Sequence, residues 1–320
     1  MKCLLQLMFL GLAATMLAAC SSEPQPLLKV GSNRWPGYEP MFLASNLGFY
    51  NKTEIKLVEL PSATDSLHLL YTGEIDAAAL TLDEALVAIE QGTKLSIVLI
   101  FDISNGADVL IAAPNIKKLQ DIKGKRVGVE STAVGSIMLQ SLLKHAKLDE
   151  FDIDIVYLTA DEHVSAYRNG QVDAIITFEP SKTQLLKQGA HELFTSQMIP
   201  GLIVDVLAVR TELLNKQHTN IQSLVDGYYK ARQYMLTHEE DAMQRMAPRL
   251  GITANEFQLT FSGLKLPSLA ANQSSFAGQP SSFEKSAYSV MTTLLHAGSI
   301  SHAVDLTHLV DSTFVESSQP

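Results

Sequence analysis

Two stretches of this chain repeat each other 97 positions apart, and that spacing sets the architecture. "TGEIDAAALTLDEALVAIEQG" (Thr72–Gly92) is echoed by "NGQVDAIITFEPSKTQLLKQG" (Asn169–Gly189), so Gly73, Asp76 and Gly92 fall on Gly170, Asp173 and Gly189. "KVG" at Lys29–Gly31 returns as "RVG" at Arg126–Gly128 with the same offset. Between these anchors "EIKLVEL" (Glu54–Leu60) matches "DIDIVYL" (Asp152–Leu158) at an offset of 98. One such match is within the reach of chance; three in order describe a duplicated unit.

Each copy reads as strand, polar loop, helix, strand, helix, strand. "GSIMLQSLLKHAKL" carries apolar residues at helical spacing, and "DIDIVYL" alternates with period two. Alternating strands and helices predict a parallel sheet covered by helices in each copy. Asp76 and Asp173 follow a glycine helix cap, and are expected to hold a turn. Beyond about residue 205 the pattern is mostly helical, with a capping box at Thr253 and Glu256. "ADVLIAA" (Ala107–Ala113) and "IVDVLAVR" (Ile203–Arg210) flank the second copy and read as paired crossover strands that leave one lobe and return to it. The expected layout is a discontinuous first lobe, residues 27–108 plus 207–320, and a second lobe, residues 109–206.

The N-terminus adds a separate signal. Lys2 precedes the apolar run "CLLQLMFLGLAATMLAA", which is too short for a spanning helix and ends in Leu17-Ala18-Ala19-Cys20. This resembles a bacterial lipobox. Residues 1–19 are expected to be a signal peptide, Cys20 the lipidated residue, and residues 20–26 an extended Ser/Pro tether. The chain has two cysteines, Cys3 and Cys20, so no disulfide framework supports the folded part. A formal net charge of −10 argues against nucleic acid, whose phosphates need a Lys/Arg surplus.

Catalytic signatures are absent: no P-loop, G-x-G-x-x-G, G-x-S-x-G or H-E-x-x-H occurs. The nine histidines show no metal spacing and read as exposed or helix-terminal. No enzyme, cofactor or metal is therefore expected. The chemistry is expected in loops after strands, where ligands collect in parallel α/β sheets. After the first strand stand Trp35, Tyr38 and Glu39. After Ala77–Leu80 stands Asp83, and its repeat-mate supplies Phe178 and Glu179. "RVGVE" leads to Ser131, Thr132, Gly135 and Ser136, whose backbone N–H groups suit a ligand oxygen. "FDISNGAD" (Phe101–Asp108) contributes Asn105, and the second crossover contributes Asp205.

Most of these positions have a purely structural alternative. Ser131–Ser136 serve equally as a helix cap with small packing residues. Asp83 serves as a cap, and Glu179 before Pro180 as a turn carboxylate. Trp35 and Tyr38 stand apart, because Pro36 and Gly37 hold them off any helical or strand period, and aromatic rings suit flat ligands. Arg34 is the only basic residue in these loops. Carboxylates beside aromatic rings favour a flat, amine-bearing solute such as an aminopyrimidine over a sulfonate or nitrate.

The segments "WPGYEPMFLASNLGFY", "LYTGEIDAAALTLDEAL", "LQDIKGKRVGV" with Gly135-Ser136, and "NGQVDAIITFEP" together resemble one family. It is the nitrate/sulfonate/taurine and thiamine-pyrimidine-precursor (NMT1-like) group of periplasmic solute-binding proteins. The resemblance implies an α/β fold of the periplasmic-binding-protein type II, two α/β lobes joined by a two-strand hinge. It also implies a small-molecule ligand in the cleft, an ABC permease as partner, and a monomer. A sensor that reports to a membrane kinase or cyclase is the alternative. Two other classes share the plan. A pyrimidine-precursor synthase is expected to carry a cysteine-rich iron site, and a LysR-type effector domain to follow a DNA-binding helix-turn-helix.

Overall fold

The computed structural model describes residues 26–319. The proposed signal peptide, Cys20 and all but the last residue of the tether lie outside the described residues. Among the described residues no helix is long and apolar enough to cross a membrane.

Two sheets carry the molecule. The first has strands β1 (Leu28–Ser32), β2 (Ile55–Glu59), β3 (Ala77–Thr81), β4 (Leu95–Ser104), β10 (Val204–Arg210) and β11 (Leu264–Lys265), in the order β11-β4-β10-β3-β1-β2. The second has β5 (Val109–Ala112), β6 (Arg126–Val129), β7 (Asp154–Tyr157), β8 (Ala174–Thr177) and β9 (His191–Thr195), in the order β7-β6-β8-β5-β9. The duplication is visible in both. The parallel trio β2-β1-β3 recurs as β7-β6-β8, and parallel pairing is what the alternating pattern predicts.

The rest of each sheet is antiparallel, and it arises by exchange. β5 follows β4 directly, yet it leaves for the second sheet and pairs antiparallel with β8 and β9. β10 follows β9 and returns to the first sheet, antiparallel to β3 and β4. The two crossover strands therefore do not pair with each other; each completes the sheet it enters. β10 lies in the first sheet along its whole length. The chain crosses between the sheets at Ser104–Asp108 and Ser196–Ile203, and the two crossings are stitched together. Ser104 and Ser196 share a hydroxyl hydrogen bond of 2.7 Å, and the Gly106 N–H donates to the Ser196 hydroxyl.

The repeated Gly and Asp have matched roles. The Lys29 N–H donates to the Asp76 carboxylate, and the Arg126 N–H donates to the Asp173 carboxylate. Each aspartate thus ties the turn before the third strand of its copy to the start of the first. Gly31 and Gly128 leave room for core side chains: a Cβ would lie 2.6 Å from Ile75 and 2.9 Å from Leu158 respectively. The C-terminal helices, among them His218–Thr237, Glu239–Leu250 and Ser282–His296, belong with the first sheet. Tyr228 donates to the Phe101 carbonyl, and Asn272 bonds both backbone groups of Ile100. The capping box at Thr253 and Glu256 forms as its spacing predicts.

Candidate ligand-binding site

The loops after β1, β3, β6 and β8 converge where the two sheets face each other. After β1, Trp35 is extended and Pro36–Tyr38 form a single 3-10 turn that leads into the helix Glu39–Asn46. This turn is fastened to β4 and β10. The Trp35 indole N–H donates to Asp102 at 3.1 Å, and the Tyr38 hydroxyl donates to Asp205. Gly37 is needed here because its Cβ position lies 1.7 Å from an Asp102 oxygen. Across the seam, the Trp35 ring meets Phe178 edge to face at 5.9 Å.

Asp102 and Asp205 are directly opposed residues of β4 and β10, so their carboxyl groups stand on the same face of the sheet. Both are buried. Burial pushes Asp102 up to about 7, against the pull of Trp35 and of Asp205. Asp205 is pushed well above the carboxylate range by burial and then by the Asp102 charge. Two such groups this close do not ionise together.

Three further carboxyls join them. Asp83 is completely buried, and both its oxygens lack a hydrogen-bond partner among the described residues. The helix cap is Thr81, and Glu84 rather than Asp83 closes its capping box by accepting the Thr81 N–H at 2.9 Å. Burial and then the Glu84 charge push Asp83 well up. Asp108, at the start of the second sheet, is pushed up to about 6 by burial, partly offset by Ser104 and Lys182. Glu130 after β6 is pushed up to about 7, by burial and then by the Glu84 charge.

The positions named from the sequence divide into groups. Trp35, Tyr38, Phe178 and Asp205 gather with Asp102 through the contacts above, and Asp108 and Asp83 lie beside this buried cluster. Ser131, Thr132 and Ser136 instead line a groove of about 580 Å³ beside Glu84, His68 and Tyr71, between helices of the two lobes. Here the helix Ala133–Ala146 is capped by Thr132, which accepts the Gly135 N–H; the Ser136 N–H and hydroxyl both donate to the Thr132 carbonyl. The N–H groups of Gly135 and Ser136 are thereby engaged. Gly135 itself is required by the Glu130 carbonyl, 2.3 Å from its Cβ position.

Glu39 is held by Arg249 at 2.8 Å. Glu179 accepts from the Thr183 N–H and hydroxyl, so it caps the helix Ser181–Leu186. Asn105 lies in the first crossing, where its backbone bonds Gly263 and Gln197.

Several residues here were not singled out from the sequence. Asp102 and Asp108 lie in the flagged "FDISNGAD", but nothing local separates them from Asn105. His163 was grouped with helix-terminal histidines. It does begin a helix, yet it is buried, its Nδ1 is paired with Thr177 and its Nε2 has no partner among the described residues. Burial lowers its pKa to about 4, so it is neutral. Lys182, the cation beside Asp108, is occupied by Glu192 and the Gly106 carbonyl.

These raised carboxyls make a stability prediction. A carboxyl whose folded pKa lies above its unfolded value gives up stability as pH rises from the unfolded value towards the folded one. For Asp102, Asp108, Glu130 and Glu39 that window runs from about 4 to about 7. The ligand-free protein is expected to melt several degrees higher at pH 5.5 than at pH 7.5, measured by calorimetry. A flat profile would mean these groups are ionised and solvated.

Two α/β lobes, crossed twice by the chain and meeting at their strand ends, define the periplasmic-binding-protein fold. The structure of the ligand-binding component of an ABC-type import system from Staphylococcus aureus matches with a TM-score of 0.75 at 16% identity, covering 92% of this chain and 99% of that one. The periplasmic aliphatic sulphonate binding protein of Escherichia coli matches with a TM-score of 0.72 at 21% identity, covering 92% and 95%. In sequence, an Escherichia coli (strain K12) protein named for binding aliphatic sulfonates is 24% identical over 261 residues, 79% of this chain and 81% of that protein. The chain belongs to the NMT1-like family, whose model matches residues 21–251.

Proposed function

We propose that this protein is an extracytoplasmic solute-binding protein that captures a small, flat, amine-bearing molecule between its lobes and delivers it to an ABC permease. Family membership and the names of its relatives support solute binding for import. They give no support to the signalling alternative. The ligand class rests on one observation: buried carboxyls with unpaired oxygens stand beside Trp35, Tyr38 and Phe178 where the lobes meet. An anion such as a sulfonate needs cations or free N–H groups. Lys182 is already paired, and the N–H groups of Gly135 and Ser136 are used within their own helix start. A cation over ring faces, held by carboxylates, meets the chemistry of this cluster.

The ligand contacts in this reading are Trp35, Tyr38, Asp83, Phe178 and Asp205, with Asp102 and Asp108 added. Ser131, Thr132 and Ser136 form the mouth. Glu39, Glu179, Gly135 and Asn105 shape the site from behind. The first lobe comprises residues 27–104 and 204–319 and the second residues 109–195, with the two crossings as hinge. The void beside Asp108, Glu130 and Phe178 is only about 10 Å³, so entry requires the lobes to part, and closure buries the ligand. The protein works as a monomer, anchored in the periplasm or at the cell surface by lipid on Cys20.

A thermal-shift panel tests the ligand class. Ligand at a hundredfold excess over Kd stabilises by about 2.7 kcal/mol, and an amino-substituted heterocycle is expected to do so. Stabilisation by an alkanesulfonate or nitrate, with none by any amine, overturns it.

A further inference from the structure

Five buried oxygens in the cluster have no hydrogen-bond partner among the described residues: both of Asp83, and one each of Asp102, Asp108 and Asp205. They come from four separate elements. Asp83 stands at the start of the helix after β3, Asp102 and Asp205 on the paired strands β4 and β10, and Asp108 at the end of the first crossing. A buried acceptor left without a donor is costly, so a ligand entering between the lobes is rewarded for each N–H it brings to these oxygens. A charge over the aromatic rings satisfies none of those oxygens by itself.

The Asp102–Asp205 pair adds a second condition. The groups acting on it are Tyr38 from the turn after β1, Glu84 from the helix after β3, Asp108 from the crossing, and Arg232 from the helix His218–Thr237, with Asp83 next to Glu84 and Asp108. Arg232 is the one cation among them, and it is engaged by the carbonyls of Leu266 and Pro267. With acids on most sides, the pair retains a proton that a bound cation makes unnecessary.

We infer that this cluster selects its ligand by N–H donors and trades a proton for it: an ammonium or amidinium bridging Asp83, Asp102 and Asp205 binds, its quaternary counterpart does not, and a proton carried by one member of the opposed Asp102–Asp205 pair passes to solvent. The inference rests on the cationic-ligand reading above and goes beyond it by naming the donor requirement and the proton. The bound state then has two carboxylates where the free state has one carboxylate and one carboxyl. A site built to hydrogen-bond its ligand rejects the analogue lacking the donors by several orders of magnitude, unlike an aromatic cage that accepts quaternary ammonium.

The experiment uses isothermal titration calorimetry on the purified protein with two probes, 5-(aminomethyl)pyrimidin-4-amine and the same molecule with its aminomethyl group trimethylated. The amine is expected to bind at least 100-fold more tightly. Its affinity should rise by up to tenfold per pH unit between pH 5.5 and 7. Heats in phosphate and Tris should differ by the ionisation heat of about one proton. Asp205→Asn should flatten the pH dependence, and Asp102→Asn gives the same readout should that variant fold poorly. Equal binding of both probes, or amine binding without proton release, overturns the inference and leaves the cationic reading standing. Binding of an alkanesulfonate with neither probe bound overturns both.

Discussion

Arg249→Met is expected to lower stability by about 3 kcal/mol at pH 7.5, the lower end of what breaking a buried ion pair costs. Arg249 reaches back from the helix Glu239–Leu250 to the Trp35 loop. Its guanidinium donates to Glu39 at 2.8 Å and to the Asn33 carbonyl at 3.0 Å, lies 3.2 Å from Glu59, and stacks 3.6 Å above the Phe42 ring. Burial pushes Glu39 up to about 7 even with Arg249 beside it, so without that partner its carboxyl rises further. The deficit should therefore grow as pH rises above 7, where the native protein ionises Glu39 and the variant resists doing so. Near pH 5 the carboxyl is protonated in both, and only the lost hydrogen bonds and ring stacking remain. Glu39→Gln in the same background removes the stranded charge, and should recover more than about 1 kcal/mol as a coupling energy. Urea denaturation of the four proteins of that cycle measures it. A purely additive cycle would mean that Arg249 acts on the loop through packing alone.

That pair also marks where the sequence stops being readable. Glu39 and Arg249 are 210 residues apart, and Tyr38 and Asp205 are 167 apart; no local pattern links such positions. That β1, β2 and β3 run parallel was legible because a strand, a helix and a parallel strand form a local unit; their order β2-β1-β3 was not read from the sequence. The exchange of β5 and β10 was visible only as two apolar runs flanking the second copy. Which neighbour each would take depends on the whole sheet. The loops after strands were found by a rule about sheet topology, and they do meet. What each residue does inside them was decided by local chemistry, some of it overlooked. Thr81-Leu82-Asp83-Glu84 has the capping-box spacing, and that spacing assigns the box to Thr81 and Glu84 and frees Asp83. The same reading of Thr132 foretells that the Gly135 N–H is already taken. His163 could not be found this way, because its burial depends on the strand β8 and the Phe178 ring.

Asp83→Asn is expected to strengthen the fold and weaken ligand capture together. The native carboxyl sits fully buried with both oxygens unpartnered, and the nearest charges acting on it, Glu84 and Asp108, are of its own sign. Nothing in the fold requires it, since Thr81 and Glu84 already cap the helix. Asparagine has nearly the same shape, carries no charge, and brings two N–H donors towards the neighbouring carboxylates. The gain should be about 1–3 kcal/mol at pH 7.5. It should shrink as pH falls towards 5, because a carboxyl held above its ordinary range by burial costs the fold less at lower pH. Affinity for an amine ligand should fall at least 100-fold, roughly 2.7 kcal/mol, because a cation then faces an amide in place of a carboxyl. Chemical denaturation at two pH values and calorimetric titration with the amine probe read the two effects separately. A variant both less stable and unimpaired in binding would make Asp83 a structural residue. Stabilisation with loss of binding would identify the cluster as a place where the fold tolerates strain for the sake of its ligand, as functional sites do.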